Sequence, residues 1–586
     1  MAVAQEQLDN GLDKRGGTSE SFYEMLNDDL ARITLLSLGC LVAAVYVWKL
    51  SLHFSDHLRR LASFSNDKQR YFLSPNRTWA NIKEHIIYAP LFRVRHNREF
   101  KLSRAVNMGT LPSRFHTLLL LGILAMNVTL CVVTVPYHSE ESTTAGIIRN
   151  RTGTMSVVNM IPLILLGGRN NPLIPLLCIS FDTYNLLHRW LGRIVVLQAL
   201  AHVIACLIPD IQEKGWSAEW AHVFSDNFLL VGFISCVAFV AIVVQSPSAL
   251  RHAFYETFLH LHIVLAVVAC AFLWIHLDGF VSQAYLLVAL VFWGFSWTAR
   301  LVILAYRNFG NGSTTALVEA LPGDCLRVTI RMARPWKYRP GQHLYLYIPS
   351  VGWWMSHPFS VGWSETEEIT IDGKGIPMTH QDVLASRKTT VSLLVRRCTG
   401  FTDKLFQRAQ NNIGSRVVLR AMVEGPYGSI HSMDSYGSCM LFAGGVGVTH
   451  LIPFVQHLVR GYAEGTVAAR RVTLVWIIQS PEHLEWIRPW MTSILGMERR
   501  REVLRIMLFI TRPRSTKEIQ SPSTTVQMFP GRPNIDTLIG MEVENQIGAM
   551  GVLVCGNGGL SDDIRRVCRQ RQGRTTIDFI EESFTW

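Results

Sequence analysis

NLLHRWLGRIVVLQALAHVIACLI (residues 185–208) and FLHLHIVLAVVACAFLWIH (residues 258–276) decide how this chain is read. Each carries two histidines fourteen residues apart: His188 and His202 in the first, His262 and His276 in the second. At ~100° and ~1.5 Å per residue, fourteen steps return to within ~40° of the starting direction and advance ~21 Å. Both pairs therefore project from one helix face and span most of a ~30 Å hydrocarbon core. Ionisable side chains are costly in lipid and count as functional suspects there. A single intramembrane histidine is readily explained as a helix-to-helix hydrogen bond. Two pairs at one repeated spacing point instead to two flat cofactors clamped between two helices. Imidazole nitrogen suits iron, and haem takes axial ligands on opposite faces, so bis-histidine haem fits, with His188 facing His262 and His202 facing His276. His260 lies sixteen residues before His276, about 160° around the helix, and is excluded.

The surrounding composition agrees with a membrane protein. The 586 residues are 49% hydrophobic and 17% charged, with mean hydropathy +0.21. That excludes an ordinary soluble protein, and the length implies several domains. Candidate spans fall at 32–50, 115–135, 154–177, 184–208, 223–245, 253–276 and 280–304, about seven in all. The third is interrupted by Gly167, Gly168, Arg169 and Asn170–Asn171–Pro172. The 51–114 loop is heavily basic (HLRRLASF, RVRHNREFKLSR), while the short loops after the second, fourth and sixth spans are not. Positive-inside bias then puts that loop and everything after 305 in the cytosol, with residues 1–31 as an extracytoplasmic tail. His188 and His262 fall at the inner level, His202 and His276 at the outer level. The N-terminus has no h-region.

A net charge of +12 comes without basic–aromatic interleaving, so nucleic acid is not an expected partner. Eleven scattered cysteines with no CxxC support neither a disulfide framework nor a zinc site. Asn150-Arg-Thr, expected in an outer loop, is a glycosylation candidate; Asn76 and Asn311 also head sequons but should be cytosolic.

Beyond about 306 the pattern changes to short strands. TALVEAL, CLRVTIRM, HLYLYIPS, TVSLLVRR and RVVLRAMV, separated by Pro/Gly turns, predict a small antiparallel barrel over 305–430, with 364–388 as an irregular excursion. From 437 to 586, CMLFAGG, VTLVWIIQ, VLRIMLFIT and GVLVCGNGG alternate with helical stretches, which predicts a parallel α/β layer. Gly444, Gly445 and Gly447 end one strand just before a helix, where backbone N–H groups can approach a pyrophosphate. Cys555, Gly556, Asn557 and Gly558 end another on the same carboxyl edge. Two such ends in one open sheet mark a ligand crevice.

Taken together, the histidine quartet, GRNNPL (168–173), HRWLGR (188–193), SHPFS (356–360), GGVGVT (444–449), CGNGG (555–559) and the terminal EESFTW resemble the fungal ferric-chelate reductases. These sit with the NADPH oxidases in a superfamily of transmembrane flavocytochromes. The resemblance covers about residues 115–586, with the motifs of three modules in order. It implies a bis-haem membrane domain at 115–304 (preceded by a first span and cytosolic loop, 32–114), an FAD barrel, and an NADPH domain similar to ferredoxin–NADP reductase.

By the same resemblance, the cofactors are two haem b, FAD and NADPH. His357, Pro358, Phe359 and Ser360 line the flavin; Arg396, Gly400, Phe401 and Thr402 hold its pyrophosphate. Gly444, Gly445, Val446, Gly447, Val448 and Thr449 form the NADPH pyrophosphate loop, and Gly556, Asn557 and Gly558 the second ligand edge. Cys555 places the nicotinamide near the flavin, and Trp586 is the terminal aromatic that stacks on the flavin. Arg512 and Arg514 follow a strand where a basic side chain can pair with a 2′-phosphate; Gln479 stands where many relatives carry an arginine. The implied activity carries electrons from cytosolic NADPH through FAD and both haems to an extracytoplasmic Fe(III) chelate such as a siderophore, with Cu(II) as a further acceptor. A downstream iron permease or oxidase is an implied partner, alongside membrane lipid. The implied residence is the plasma membrane, with the vacuolar membrane as the alternative. A superoxide-generating NADPH oxidase is the close rival, and a transporter or haem sensor with a regulatory nucleotide domain a more distant one.

Overall fold

Seven long helices occupy the first half of the chain: α1 (Ala2–Ser63), α2 (Arg114–Val132), α3 (Glu141–Gly167), α4 (Phe181–Lys214), α5 (Asn227–Gln245), α6 (Tyr255–His276) and α7 (Ser282–Asn308). The computed structural model describes residues 2–64, 66–93, 96–100, 109–133, 135, 141–310, 312–353, 355–368, 387–513 and 519–582. Residues 1–50, 99–110 and 116–297 form one unit; 51–98, 111–115 and 298–586 form the other.

Six of these helices are long and apolar enough to cross a membrane: residues 25–63 of α1, then α2, α4, α5, α6 and α7. The chain is an integral membrane protein. The expected third span, 154–177, is not among them. Its residues divide between the end of α3, a turn, and a five-residue helix Leu173–Leu177. Asn171 Oδ1 accepts from Leu173 N at 2.9 Å and starts that short helix, so the Gly/Asn/Pro run terminates α3. Helix α3 begins well before 154 and is polar for an intramembrane helix, carrying Arg149, Arg151 and Asn159. Asn150 consequently sits on a helix rather than in the expected loop, and the hydroxyl of Thr152 in its sequon is spent on Ile148 O.

Packing in the first unit follows two antiparallel helix pairs, α3 with α4 and α5 with α6. Asp226 opens α5 by capping Phe228 N (2.7 Å) and Leu229 N (3.2 Å). Small and β-branched residues meet at the centre, among them Val157, Val195, Ala238, Ala269 and Ala289. Buried polar groups satisfy one another, as they must without water. Asn127 Oδ1 accepts from Asn159 (2.6 Å) and Gln198 (3.2 Å), and the fully buried Arg151 donates to Asn27 Oδ1 (3.0 Å) and to Val133 O. Outward-facing apolar residues such as Leu121 and Val267 stay more than half exposed, as a lipid-facing surface requires.

Among the described residues, the second unit holds two large sheets, besides a two-stranded pairing of Phe309–Gly310 with Gly312–Ser313. An antiparallel half-barrel is built from β1 (Thr315–Leu321), β2 (Cys325–Arg331), β3 (Gln342–Tyr347), β4 (Ser356–Glu368), β5 (Arg387–Arg396), β6 (Arg416–Arg420) and β7 (Met422–Gly428), in the order β6-β1-β2-β5-β4-β3-β7. The expected irregular excursion is shorter than 364–388: β4 runs to Glu368 and β5 starts at Arg387, paired from Glu365↔Thr390 to Glu368↔Arg387. The stretch RVVLRAMV divides between β6 and β7.

A six-stranded parallel sheet follows: β8 (Ser438–Gly444), β9 (Arg471–Ile478), β10 (Leu504–Ile510), β11 (Val526–Pro530), β12 (Met550–Cys555) and β13 (Ile577–Glu582), in the order β11-β10-β9-β8-β12-β13. The strand order reverses between β8 and β12, so the crevice at their carboxyl ends is the topological switch point where ligands of such sheets bind. A half-barrel followed by a parallel sheet is the ferredoxin–NADP reductase-like arrangement.

The basic 51–98 segment belongs to this second unit. Arg59 stacks 4.5 Å over the Tyr436 ring and donates to Ser435 Oγ at 2.7 Å. Lys83 reaches Ile577 O (2.9 Å) and Asp578 (3.1 Å), and Leu73 O accepts from Thr576 N (3.0 Å). The segment thus covers the β13 edge, which would otherwise expose unpaired backbone.

Candidate functional site

The four histidines meet as the spacing predicts. His188 faces His262 with ring centroids 6.2 Å apart, and His202 faces His276 at 6.3 Å. Two imidazoles bound to one metal, each with a ~2.0–2.1 Å metal–nitrogen bond and a ring half-width of ~1.1 Å, place their centroids about 6.3 Å apart. Both pairs fit that separation, and a bis-histidine haem accordingly fits the donor set.

Three of the four imidazoles share one further arrangement. His202 Nδ1 lies 2.8 Å from Arg149 O, His188 Nδ1 2.8 Å from Leu163 O, and His276 Nδ1 3.0 Å from Phe228 O. Four residues after each of those carbonyls stands a glycine against which the ring lies. A Cβ on Gly153 would come 2.7 Å from His202 Nδ1, one on Gly167 3.0 Å from His188 Nδ1, and one on Gly232 2.7 Å from His276 Nδ1. The missing side chain lets the imidazole reach a helix carbonyl. An Nδ1–H held this way leaves Nε2 free for a metal. Gly153 and Gly167 are themselves fourteen apart, mirroring His202 and His188 on the antiparallel neighbour, a signal present in the sequence. His262 Nδ1 is buried with no hydrogen-bond partner. His260 instead turns back to Glu256 O (2.7 Å) and is exposed.

In the second unit the flavin motif lies on β4. His357, Pro358, Phe359 and Ser360 pair with Leu346, Tyr345, Leu344 and His343 of β3, and the His357 ring packs 4.6 Å from Phe401. Gly400, at φ 80°, turns the chain into α8 (Phe401–Gln410), so Gly400, Phe401 and Thr402 sit at a helix N-terminus where backbone N–H groups favour an anion. Thr402 Oγ1 is already engaged, accepting from Cys398 N at 2.9 Å. Arg396 is exposed at the end of β5, whereas its neighbour Arg397 is tied to Asp403 (2.7 Å) and Asp324 (3.1 Å). Of the two, Arg396 makes no ion pair among the described residues.

Two residues beyond Ser360, Gly362 abuts the parallel-sheet domain. A Cβ there would meet Thr449 Cγ2 at 2.7 Å, and Trp363 stacks on Trp490 at 6.2 Å. The flavin motif and the glycine-rich loop therefore adjoin. Gly445 (φ 56°) and Gly447 form a 3₁₀ turn with Val446, and α9 (Val448–Glu464) starts at Val448. Trp476 Nε1 holds Gly445 O at 3.0 Å, and Thr449 Oγ1 holds Val446 O at 2.7 Å. A Cβ on Gly447 would lie 2.2 Å from Cys555 O, and one on Gly444 3.2 Å from Gly556 Cα. The two glycine-rich strand ends are thus in backbone contact across the switch point.

Cys555 is buried there. Burial first, then Glu582 and Glu581, push its thiol far above the ordinary range, so it is a neutral contact and not a thiolate. Asn557 caps the helix α10 (Gly558–Gln570), accepting from Leu560 N at 2.9 Å. Gly558 lies against the docked segment: a Cβ there would be 2.0 Å from Asn97 O, while Asn97 N and Arg98 N bond the Asp562 carboxylate at 3.1 and 2.8 Å. Arg512 is exposed beyond β10, and its N–H bonds Gln479 O at 3.0 Å, so the two turns weighed for a 2′-phosphate are adjacent. Arg514 and Trp586 lie outside the described residues.

One network went unread in the sequence. Glu424, fully buried, takes Arg300 Nε (3.1 Å), Tyr347 Oη (2.5 Å) and Tyr427 Oη (2.8 Å). Asn308 clasps both backbone groups of Val423 at 2.8 Å. These ties hold the last turns of α7 to the half-barrel. The α7 side of the network is not legible in the sequence because Arg300 and Glu424, like Asn308 and Val423, lie over a hundred residues apart.

Comparison with known families covers all three parts of the chain. Residues 152–273 match the family described as "Ferric reductase like transmembrane component". Residues 311–374 match "FAD-binding domain", and 436–569 match "Ferric reductase NAD binding domain". Among relatives, "Ferric reductase transmembrane component 3" of Saccharomyces cerevisiae is 24% identical over 514 residues, 82% of this chain and 68% of its own length. "Ferric/cupric reductase transmembrane component 2" of the same yeast is 23% identical over 535 residues, 85% of this chain and 70% of its own. A "Probable cell surface ferric reductase" of Aspergillus oryzae is 27% identical over 362 residues, 60% of this chain and 46% of its own.

Proposed function

The chain belongs to the fungal ferric reductase family, a transmembrane NAD(P)H-dependent oxidoreductase acting on metal ions, and on that premise we propose that it is an NADPH-dependent ferric-chelate reductase working through two bis-histidine haems. The observation that carries this reading is the pair of facing imidazoles at 6.2 and 6.3 Å in a chain that also holds adjoining flavin and nicotinamide motifs. Bound in these sites, NADPH and FAD would supply hydride chemistry and two haem b one-electron chemistry for the acceptor.

The protein's share of the work is positional. His188 with His262, and His202 with His276, hold the haems, and the helix carbonyls at Leu163, Arg149 and Phe228 fix three of the ring orientations. His357, Pro358, Phe359 and Ser360 flank the flavin, with Arg396 and the Gly400–Phe401–Thr402 turn on its pyrophosphate. Residues 444–449 receive the dinucleotide pyrophosphate at the α9 N-terminus, with Gly556, Asn557 and Gly558 along the facing edge. Neutral Cys555 orients the nicotinamide, Trp586 covers the flavin, and Arg512 takes the 2′-phosphate. A lipid bilayer surrounds the first unit, the acceptor is Fe(III) chelate and also Cu(II), and the residence is the plasma membrane. A permease or oxidase consumes the Fe(II) released.

The test is acceptor-resolved. Membranes from expressing cells, given NADPH, reduce Fe(III) chelate without superoxide. Superoxide output with no Fe(III) reduction overturns the reading in favour of an NADPH oxidase.

A further inference from the structure

The two helix pairs of the membrane unit repeat each other at the level of single contacts. In α3–α4, Gly153 lies against His202, Arg149 O bonds that ring, and Ser156 Oγ donates to Val195 O at 3.0 Å. In α5–α6, Gly232 lies against His276, Phe228 O bonds that ring, and Ser235 Oγ donates to Ala269 O at 2.9 Å. The glycine, carbonyl and serine positions of the first pair recur 79 residues later, and the histidine and acceptor positions 74 residues later.

Carried through, the same offsets predict the fourth site. Gly167 and Leu163 O, which serve His188, correspond to residues 246 and 242, which should serve His262. Position 246 is serine. Its hydroxyl donates to Ile242 O at 2.5 Å, the carbonyl that the repeat assigns to the imidazole. Among the described residues, His262 Nδ1 is the one member of the quartet left buried without a hydrogen-bond partner. The preceding residue, Gln245, also keeps both amide atoms buried and unpartnered. Ser246 thus differs from its three counterparts twice: it has a Cβ where they have none, and it occupies the acceptor.

We propose that Ser246 is a positioning residue that sets the haem of the His188/His262 pair apart from that of the His202/His276 pair, by withholding the Ile242 carbonyl from His262. An imidazole whose Nδ1–H is hydrogen-bonded to a carbonyl is a more basic ligand and favours the ferric state. Both ligands of the His202/His276 pair are supported this way, but only one ligand of the His188/His262 pair. The haem with the unsupported ligand is therefore easier to reduce than the repeat alone would make it. At the cytosolic level expected from the sequence, that eases entry of the first electron.

This inference rests on the bis-haem reading, and the experiment separates the two. Optical redox titration of the purified full-length protein follows the two haem waves; the wave retained by His202→Leu belongs to the His188/His262 pair. Ser246→Gly removes both the Cβ and the hydroxyl, lets the His262 ring reach the Ile242 carbonyl and shifts that wave to more negative potential while the other stays in place; Ser246→Ala, which keeps the Cβ that holds the ring off, leaves both waves in place. Ser246→Thr keeps the hydroxyl and leaves both waves where they are. If Ser246→Gly leaves the wave unmoved, or moves the other one, the role of Ser246 is overturned and the bis-haem reading stands. A preparation without two haems overturns both.

Discussion

Gly153 and His202 touch so closely that a single methyl group cannot come between them: a Cβ at 153 would lie 2.7 Å from the imidazole Nδ1. The glycine belongs to the ligand site as fully as the histidine does. Gly153→Ala must push the ring off the Arg149 carbonyl, an overpacking change of about 1–3 kcal/mol in a buried site. The haem-to-flavin ratio of the purified protein falls from two towards one. Gly167→Ala, where the approach is 3.0 Å, perturbs the haem spectrum with less loss. A pyridine haemochrome assay against released FAD measures both.

The ligand assignment predicts a contrast between two intramembrane histidines, one on α4 and one on α6. His202→Leu removes one haem, and His260→Leu leaves two, because His260 is exposed and turned back to Glu256 O. Two haems retained in the first variant would refute the pairing.

At the switch point, Gly447 has no room for a side chain, with Cys555 O 2.2 Å from where a Cβ would stand. Gly447→Ala forces the two strand ends apart and abolishes NADPH-dependent flavin reduction, while haem content is unchanged. Stopped-flow bleaching of the flavin band reads the first, and absorbance of the haem band reads the second. Because Cys555 is held neutral, iodoacetamide at pH 8 leaves that thiol unmodified, which peptide mapping checks.

Arg512 carries the expected discrimination between dinucleotides. Losing a charge-assisted contact of about 1.5–3 kcal/mol raises the KM for NADPH about 10- to 100-fold in Arg512→Ala. The KM for NADH stays level. Equal loss with both dinucleotides would remove Arg512 from the 2′-phosphate.

His450, buried at the start of α9, has its pKa pushed from 6.5 down to about 3 by burial first and then by His343 and His431. Between those values the unfolded chain binds a proton that the folded one does not, so stability falls as pH drops from 6.5 towards 3. The thermal midpoint of the detergent-solubilised chain decreases from pH 7.5 to 5.5, and His450→Gln flattens that dependence.

The parts of this architecture that could be read from the chain are those with a local period. Helical geometry relates His188 to His202 and His262 to His276, and strand ends rich in glycine declare themselves at Gly444 and Gly556. Polar residues concealed the rest. Helix α3 carries Arg149 and Arg151 ahead of residue 154, so the expected span 154–177 starts too late and misses Gly153, which lies against His202. Strands β11 and β13 are short, and the acidic end of β13 masks its apolar face. The docking of residues 51–98 on β13 depends on contacts such as Lys83 to Asp578, hundreds of residues apart, which no pattern in a single sequence announces.

In the proposed route one chain conducts electrons from NADPH through FAD and two bis-histidine haems to ferric iron. Anaerobic stopped-flow of the purified protein tests it most directly. NADPH first bleaches the flavin band and then reduces two haems per flavin, and a following pulse of Fe(III) chelate reoxidises both haems as Fe(II) appears. Fe(II) formed at full rate while the haems stay oxidised would contradict it.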